Sequence, residues 1–250
     1  TSKAQTTRHR IMGIVNSDDF QIVYSDTPGI VKDPSYKMHE YMNSYIETAL
    51  IDADIILLVV EAGQKFEYQE VISRIAKLDI PVIIVINKID LSNQEAVVEH
   101  MSHWNESLPK AEIIPVSALK KFNVESVFDG ILKHLPESPA YYSKDEFTDK
   151  SMRFFVSEII REKILINYKK EIPYSVEVAV DTYKDEEKIL RISAMIYTSR
   201  ETQKAILLGH MGNSIKRVGT QARLDIEEFV GKKVFLELTV KTTKDWRDSD

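Results

Sequence analysis

Three stretches of the chain carry side chains whose types and spacing could do chemistry. In Ser25-Asp26-Thr27-Pro28-Gly29, a carboxylate stands three residues ahead of a glycine. Such a carboxylate can hold Mg2+, commonly through water, and the glycine lets a backbone N–H approach a terminal phosphate. In Asn87-Lys88-Ile89-Asp90, a carboxylate can accept two hydrogen bonds from the ring nitrogen and exocyclic amine of guanine, a donor pair that adenine lacks. The lysine stem there can lie over the base plane. Ser117-Ala118-Leu119, further on, could meet the base from its other side through the backbone. The third stretch is Gly209-His210-Met211-Gly212, a G-x-x-G turn that permits close approach of the backbone to a nucleic-acid chain. Around it, residues 200–223 hold Arg200, Lys204, Lys216, Arg217 and Arg223 against the single acid Glu201. Lys216 and Arg217 can contact phosphates, while Ile206, Ile215 and Val218 form either an apolar floor under bases or part of a core. Each stretch also has a purely conformational reading: a β-turn, a turn with Asp capping a helix, and a cap between two helices. Glu99, His100, His103 and Glu106 could offer metal ligands on one helix face, but no further His or Cys supports them, and a solvated helix is the simpler account.

These segments need elements to hold them. Phe20 to Tyr24 reads as a short strand; Ile55–Val60, Val82–Ile86 and Ile113–Val116 are compact Ile- and Val-rich runs that suit strands buried on both faces of a mostly parallel sheet. Phe66 to Leu78 and Val124 to Leu135 repeat apolar residues at helical spacing. Strand and helix alternate, which indicates an α/β domain with ligands at the carboxyl ends of the strands. Residues 136–150 lack periodicity and read as a linker. Beyond them the pattern is α-β-β-α-α-β: helix Met152–Tyr168, strands Ser175–Tyr183 and Ile189–Tyr197, helices near Thr202–Leu208 and Asn213–Phe229, and a last strand Lys233–Lys241. The acidic run Asp185–Glu187 marks a hairpin turn.

Composition bounds what these elements can be. The 250 residues are 29% charged and 43% hydrophobic, and the chain holds no cysteine, so disulfide frameworks and thiolate metal sites are excluded. The longest apolar run, Ile55 to Val60, is far short of a membrane span. Nothing at the start resembles a secretion signal, so the expected location is the cytoplasm. Residues 1–150 hold 15 basic against 23 acidic side chains and residues 151–250 hold 18 against 16, which assigns any polyanion to the second half.

Asp26-Thr27-Pro28-Gly29, Asn87-Lys88-Ile89-Asp90 and Ser117-Ala118-Leu119 each follow a buried strand, in that order, and together they resemble the nucleotide-binding motifs of translation-factor-related GTPases. With Gln5-Thr6-Thr7-Arg8-His9 upstream, the set is similar to the Era family of ribosome-assembly GTPases. The α-β-β-α-α-β half with its G-x-x-G resembles a bacterial-type KH domain, and the likeness extends through Arg153–Lys163, Glu171–Ser175 and Val240-Lys241 to Trp246-Arg247. It implies a P-loop-type α/β GTPase domain over residues 1–135, a linker at 136–150 and an α+β KH domain over 151–250. It further implies GTP and GDP as ligands with Mg2+ as cofactor. Thr6 or Thr7 would belong to the first switch with a hydroxyl on Mg2+, beside Asp26 as metal site, and Gly29 would open the second switch. Asn87, Lys88 and Asp90 would recognise guanine, helped by the Ser117-Ala118-Leu119 backbone. Gly209, His210, Met211, Gly212, Lys216 and Arg217 would bind small-subunit ribosomal RNA near its 3′ end during 30S subunit maturation. The family implies a monomer; peripheral association with the inner face of the cell membrane is left open.

Two departures bear on this. No G-x-x-x-x-G-K-[ST] phosphate loop occurs in these residues. In the family it lies upstream of Gln5, so the sequence is expected to start late, and without the loop nucleotide binding should be poor. That leaves an alternative, a nucleotide-incompetent RNA-binding assembly protein that retains the GTPase scaffold. Secondly, as in the family, Ile30 follows Gly29 where some GTPases carry a water-orienting Gln, so slow intrinsic hydrolysis is expected. The His-Met pair of the G-x-x-G turn lacks the Lys of many relatives, which implies weaker phosphate attraction at the turn itself.

Overall fold

The computed structural model describes residues 7–29, 37–64 and 69–243. In chain order the elements are β1 (Ile11–Asn16), β2 (Gln21–Asp26), α1 (Lys37–Asp52), β3 (Ile56–Glu61), α2 (Gln69–Ile75), β4 (Val82–Asn87), α3 (Gln94–Ser107), β5 (Glu112–Pro115), α4 (Val124–His134), α5 (Met152–Asn167), β6 (Val176–Asp185), β7 (Leu190–Thr198), α6 (Glu201–Leu208), α7 (Asn213–Val230) and β8 (Val234–Thr242). Two compact units result: one spans residues 47–140, and the other gathers residues 1–46 with 141–250.

In the 47–140 unit, β3, β4 and β5 form a parallel sheet in that order. The run Val82–Ile86 behaves as a strand buried on both faces, with Ile83, Ile84, Val85 and Ile86 all withdrawn from solvent. On β3 only one face is covered: Ile56 and Val60 are buried, whereas Val59 is 56% exposed. The equally apolar run therefore does not imply burial on both faces there. Ile72 and Ile75 of α2 with Trp104 and Leu108 from the end of α3 close the core over β3 and β4, each large side chain contributing roughly 1.5–3 kcal/mol on burial. His100 and His103 lie with their rings against Trp104. Among the described residues no group of three or more potential ligands gathers for a metal ion.

In the other unit, β1 and β2 pair antiparallel as a hairpin, with Ile11 opposite Asp26. The strand read at Phe20–Tyr24 is β2 of this hairpin. Residues 141–149, expected as part of a linker, run along this hairpin. Ile14 N–H donates to Phe147 O (2.8 Å), Gly13 bridges Thr148, and the Gln21 amide accepts from the N–H groups of Tyr141 and Tyr142. The antiparallel hairpin β6–β7 and the parallel partner β8 form the second sheet, order β6-β7-β8. The acidic residues Asp185 and Glu186 lie at the β6–β7 turn, closed by Glu186 N–H to Ile189 O. Helices α5, α6 and α7 cover the sheet through Val156, Ile160, Ile164, Leu207, Val218, Ala222 and Ile226. The helix and strand order α-β-β-α-α-β of the sequence reading holds in full. No helix among the described residues is long and apolar enough to cross a membrane.

Candidate functional site

The buried strand β4 ends at Asn87, and the chain turns there because Lys88 adopts a left-handed conformation (φ 64°) before a 3-10 turn over Ile89–Leu91. The Asn87 side-chain oxygen accepts from its neighbour's N–H at Lys88 (2.7 Å) and from Ala118 N–H (3.1 Å), joining the loops after β4 and β5. Ser117, nearly fully buried, donates its hydroxyl to Asp90 Oδ1 at 2.5 Å and accepts from Lys120 N–H at 3.2 Å. Residues 117 and 122 exchange backbone hydrogen bonds, so Ala118 and Leu119 sit in a closed loop. Asp90 itself is exposed and its second oxygen receives no protein hydrogen bond among the described residues. A carboxylate fixed at one oxygen and presented to solvent can accept from the edge of a purine carrying two adjacent donors. Lys88 makes an ion pair with Glu61, the last residue of β3, which stands opposite Asn87 in the sheet register. Sequence reading missed Glu61; its place directly after an apolar run was the one available signal. Asn123 completes the loop by donating from its side-chain amide to Pro115 O (2.9 Å).

Asp26 ends β2, and Thr27, Pro28 and Gly29 follow it. The Thr7 hydroxyl donates to Asp26 Oδ2 at 3.3 Å, so the structure brings these two predicted site residues together. Partial burial pushes the Asp26 carboxyl above its ordinary range, opposed by the hydrogen bonds from Thr7 and from the Thr27 backbone. A carboxylate with an adjacent hydroxyl is an oxygen donor pair that suits a hard cation such as Mg2+, which takes one or two protein ligands and completes its shell with phosphate and water. Gly29 is exposed, and a Cβ there would meet nothing within 4 Å. Thr6, Ile30 and Trp246-Arg247 lie outside the described residues.

The G-x-x-G turn joins α6 to α7. Gly209 has φ 68° and ψ −175°, and a Cβ there would come 2.1 Å from the Ser214 hydroxyl oxygen, so only glycine fits. Gly212 is left-handed (φ 75°) with open space around it, which bares the backbone ahead of the first N–H groups of α7. His210 and Met211 are exposed, Met211 at 87%. Lys216 and Arg217 are exposed on the first turns of α7 and take part in no ion pair among the described residues. The apolar trio divides: Val218 is fully buried, Ile215 packs against the core half-buried, and Ile206 is 52% exposed. Only Ile206 is free to face a base, because Val218 is needed by the core. Behind the turn, Tyr168 donates its hydroxyl to Leu207 O at 2.6 Å.

Sequence reading also missed what holds Arg8. Its guanidinium is buried and donates from Nη1 to Val176 O (2.9 Å) and Glu177 Oε2 (3.4 Å), and from Nη2 to Tyr174 O (3.2 Å) and Pro173 O (3.5 Å). The acceptors lie at least 165 positions away and are mostly backbone, so no residue pattern announces them.

Known proteins resemble this chain over nearly its whole length. The elongation factor Tu GTP binding domain family matches residues 1–137 and the KH domain family matches residues 171–247. The GTPase Era of Clostridium kluyveri is 43% identical over 99% of this chain and 85% of its own length, and that of Syntrophus aciditrophicus is 42% identical over 98% and 81%. The crystal structure of Aquifex aeolicus Era bound to GDP and AlF4− superposes with a TM-score of 0.92 at 35% identity, covering 99% of this chain and 85% of that one. The crystal structure of Era in complex with MgGDPNP and nucleotides 1506–1542 of 16S ribosomal RNA matches with the same TM-score and coverage.

Proposed function

Because this chain belongs to the Era family of GTPases, we propose that it is a GTP-binding and GTP-hydrolysing switch that grips small-subunit ribosomal RNA near its 3′ end and assists 30S maturation. The observation that carries the reading is the exposed Asp90 carboxylate, held by the buried Ser117 hydroxyl within loops that Asn87 ties together. That arrangement presents acceptors to guanine and, through backbone N–H groups near Ala118, a donor to its O6. Asp26 and Thr7 would hold Mg2+, and Gly29 would offer a backbone N–H to the terminal phosphate. Mg2+, when bound, neutralises charge on the phosphate oxygens during transfer to water. Gly209 to Gly212, with Lys216 and Arg217, would receive the RNA backbone. Residues 1–135 carry the nucleotide function in this reading and residues 151–250 the RNA function, and the protein acts as a cytoplasmic monomer.

Titration with a fluorescent GDP tests the reading, with GTP hydrolysis followed in Mg2+ and RNA binding measured in parallel. GTP and GDP should displace the probe and ATP should not; equal displacement by ATP would refute guanine recognition. RNA binding with no nucleotide binding at all would favour the nucleotide-incompetent assembly protein instead.

A further inference from the structure

Thr7 and Arg8 are consecutive, yet their side chains meet different partners within one unit. The Thr7 hydroxyl is on Asp26, while the Arg8 guanidinium, 3% exposed, is inserted among the carbonyls of Pro173, Tyr174 and Val176 and beside Glu177. Those carbonyls belong to the 3-10 turn Ile172–Tyr174 and the first residue of β6. Within the turn, Ile172 O is satisfied by the N–H and hydroxyl of Ser175, and Arg8 supplies donors to the carbonyls that follow. The turn comes four residues after Tyr168, whose hydroxyl holds Leu207 O two residues before Gly209. Thr7 and Arg8 share a peptide bond, so a backbone shift at Thr7 is passed directly to the residue whose guanidinium the carbonyls of residues 173–176 hold.

We propose that Arg8 is a positioning residue that transmits the state of the Thr7–Asp26 site to the G-x-x-G turn. With Thr7 held at that site, Arg8 is seated and braces the 172–176 turn, Tyr168 and Leu207; with Thr7 released, Arg8 leaves and the RNA grip loosens. The inference rests on the reading of this chain as a nucleotide switch. Its physical basis is the guanidinium fork, whose two terminal nitrogens reach separate acceptors and which a lysine ammonium cannot reproduce.

The test measures binding of a labelled oligoribonucleotide spanning the 3′ end of 16S ribosomal RNA, with GDPNP and with GDP, in the wild type and in Arg8→Lys, alongside melting temperatures. The wild type is expected to bind about tenfold more tightly with GDPNP, within the usual range of coupling between sites, and Arg8→Lys to bring that ratio below twofold. A variant that melts lower but keeps the wild-type ratio would overturn the inference and leave the switch reading intact. A wild-type ratio of one would overturn both. Should Arg8→Lys fold poorly, amide exchange across residues 172–178 of the wild type decides: at least fivefold slower exchange with GDPNP than with GDP is expected, and equal rates would overturn the inference.

Discussion

The loops after β4 and β5 are tied together by side chains, whereas the turn between α6 and α7 is shaped by its own backbone. In the first region Asn87 joins both loops and a buried Ser117 hydroxyl fixes Asp90. In the second, Gly209 and Gly212 create a bare surface flanked by Lys216 and Arg217, which make no ion pair among the described residues. The difference matches what the proposed function asks each region to read. A base edge offers donors at fixed positions, so acceptors must be held in advance and their freedom removed before binding. A phosphate backbone offers diffuse charge and needs close approach more than side-chain order. On the proposed reading, rigid polar side chains mark the guanine loops, and missing side chains mark the RNA turn.

The sharpest way to break this comparison is Asp90→Asn. Exchanging a charged acceptor for an amide removes one or both hydrogen bonds to the guanine ring and is expected to weaken GDP binding about 100-fold (~2.7 kcal/mol). The same variant should bind xanthosine diphosphate more tightly than GDP, because the amide donates to O2 of xanthine. Calorimetry with both nucleotides checks this, and unaltered preference for GDP would remove Asp90 from the guanine site. RNA affinity measured at saturating nucleotide should not change.

A second effect falls on the turn. Gly209→Ala forces a Cβ against Ser214 at a backbone conformation reserved for glycine, costing about 2 kcal/mol and weakening RNA binding about 30-fold. Gly212→Ala meets open space and carries only left-handed strain, about 1 kcal/mol, so its effect on the melting temperature should be roughly half as large. Equal losses in the two variants would show that conformation alone, and not the contact with Ser214, makes Gly209 obligatory.

The parts of the molecule legible in the sequence are those whose partners are generic. Ile83, Ile84 and Ile86 need only an apolar interior, and the G-x-x-G turn declares itself because glycine alone fits there. By contrast β1, with Gly13 in its middle, and α1, in which His39 and Met42 are the buried residues, show no clean periodicity to read. The pairing of β1 with β2 and the path of residues 141–149 depend on backbone hydrogen bonds and on the single side chain of Gln21. Arg8 is the extreme case, since among the described residues it donates to three backbone carbonyls, which every residue possesses, beside the one side chain of Glu177. Motifs named the candidate ligand-facing residues and were silent on which residues hold those in place: Glu61 beside Lys88, and the Ser117 hydroxyl rather than its backbone alone.

Ser117→Ala tests the ordering of the guanine loops from the inside. It deletes the hydroxyl that holds Asp90 Oδ1 and receives Lys120 N–H, but leaves Asn87 and its bonds in place. A loss of about fivefold in GDP affinity, near 1 kcal/mol for one such bond, is expected, with selectivity over ATP retained because Asp90 keeps its charge. Loss of selectivity instead would mean that Ser117 contributes directly to reading the base.

The smallest effect separates the regions by salt. Lys216 and Arg217 are exposed and unpaired among the described residues, so in RNA binding each acts by displacing condensed counterions. Single-stranded RNA loses roughly 0.7 in the slope of log affinity against log salt for each phosphate contact removed. Lys216→Ala should thus weaken RNA binding only about threefold at moderate salt while reducing the slope by about 0.7, and Arg217→Ala should do likewise. Neither should alter nucleotide affinity, and Ser117→Ala and Asp90→Asn should leave the salt slope for RNA untouched. Anisotropy titrations from low to high salt supply the slopes. An unchanged slope in Lys216→Ala would mean that its ammonium does not contact the RNA backbone, and the turn would then depend on its bare glycines, the α7 N-terminus and Arg217 alone.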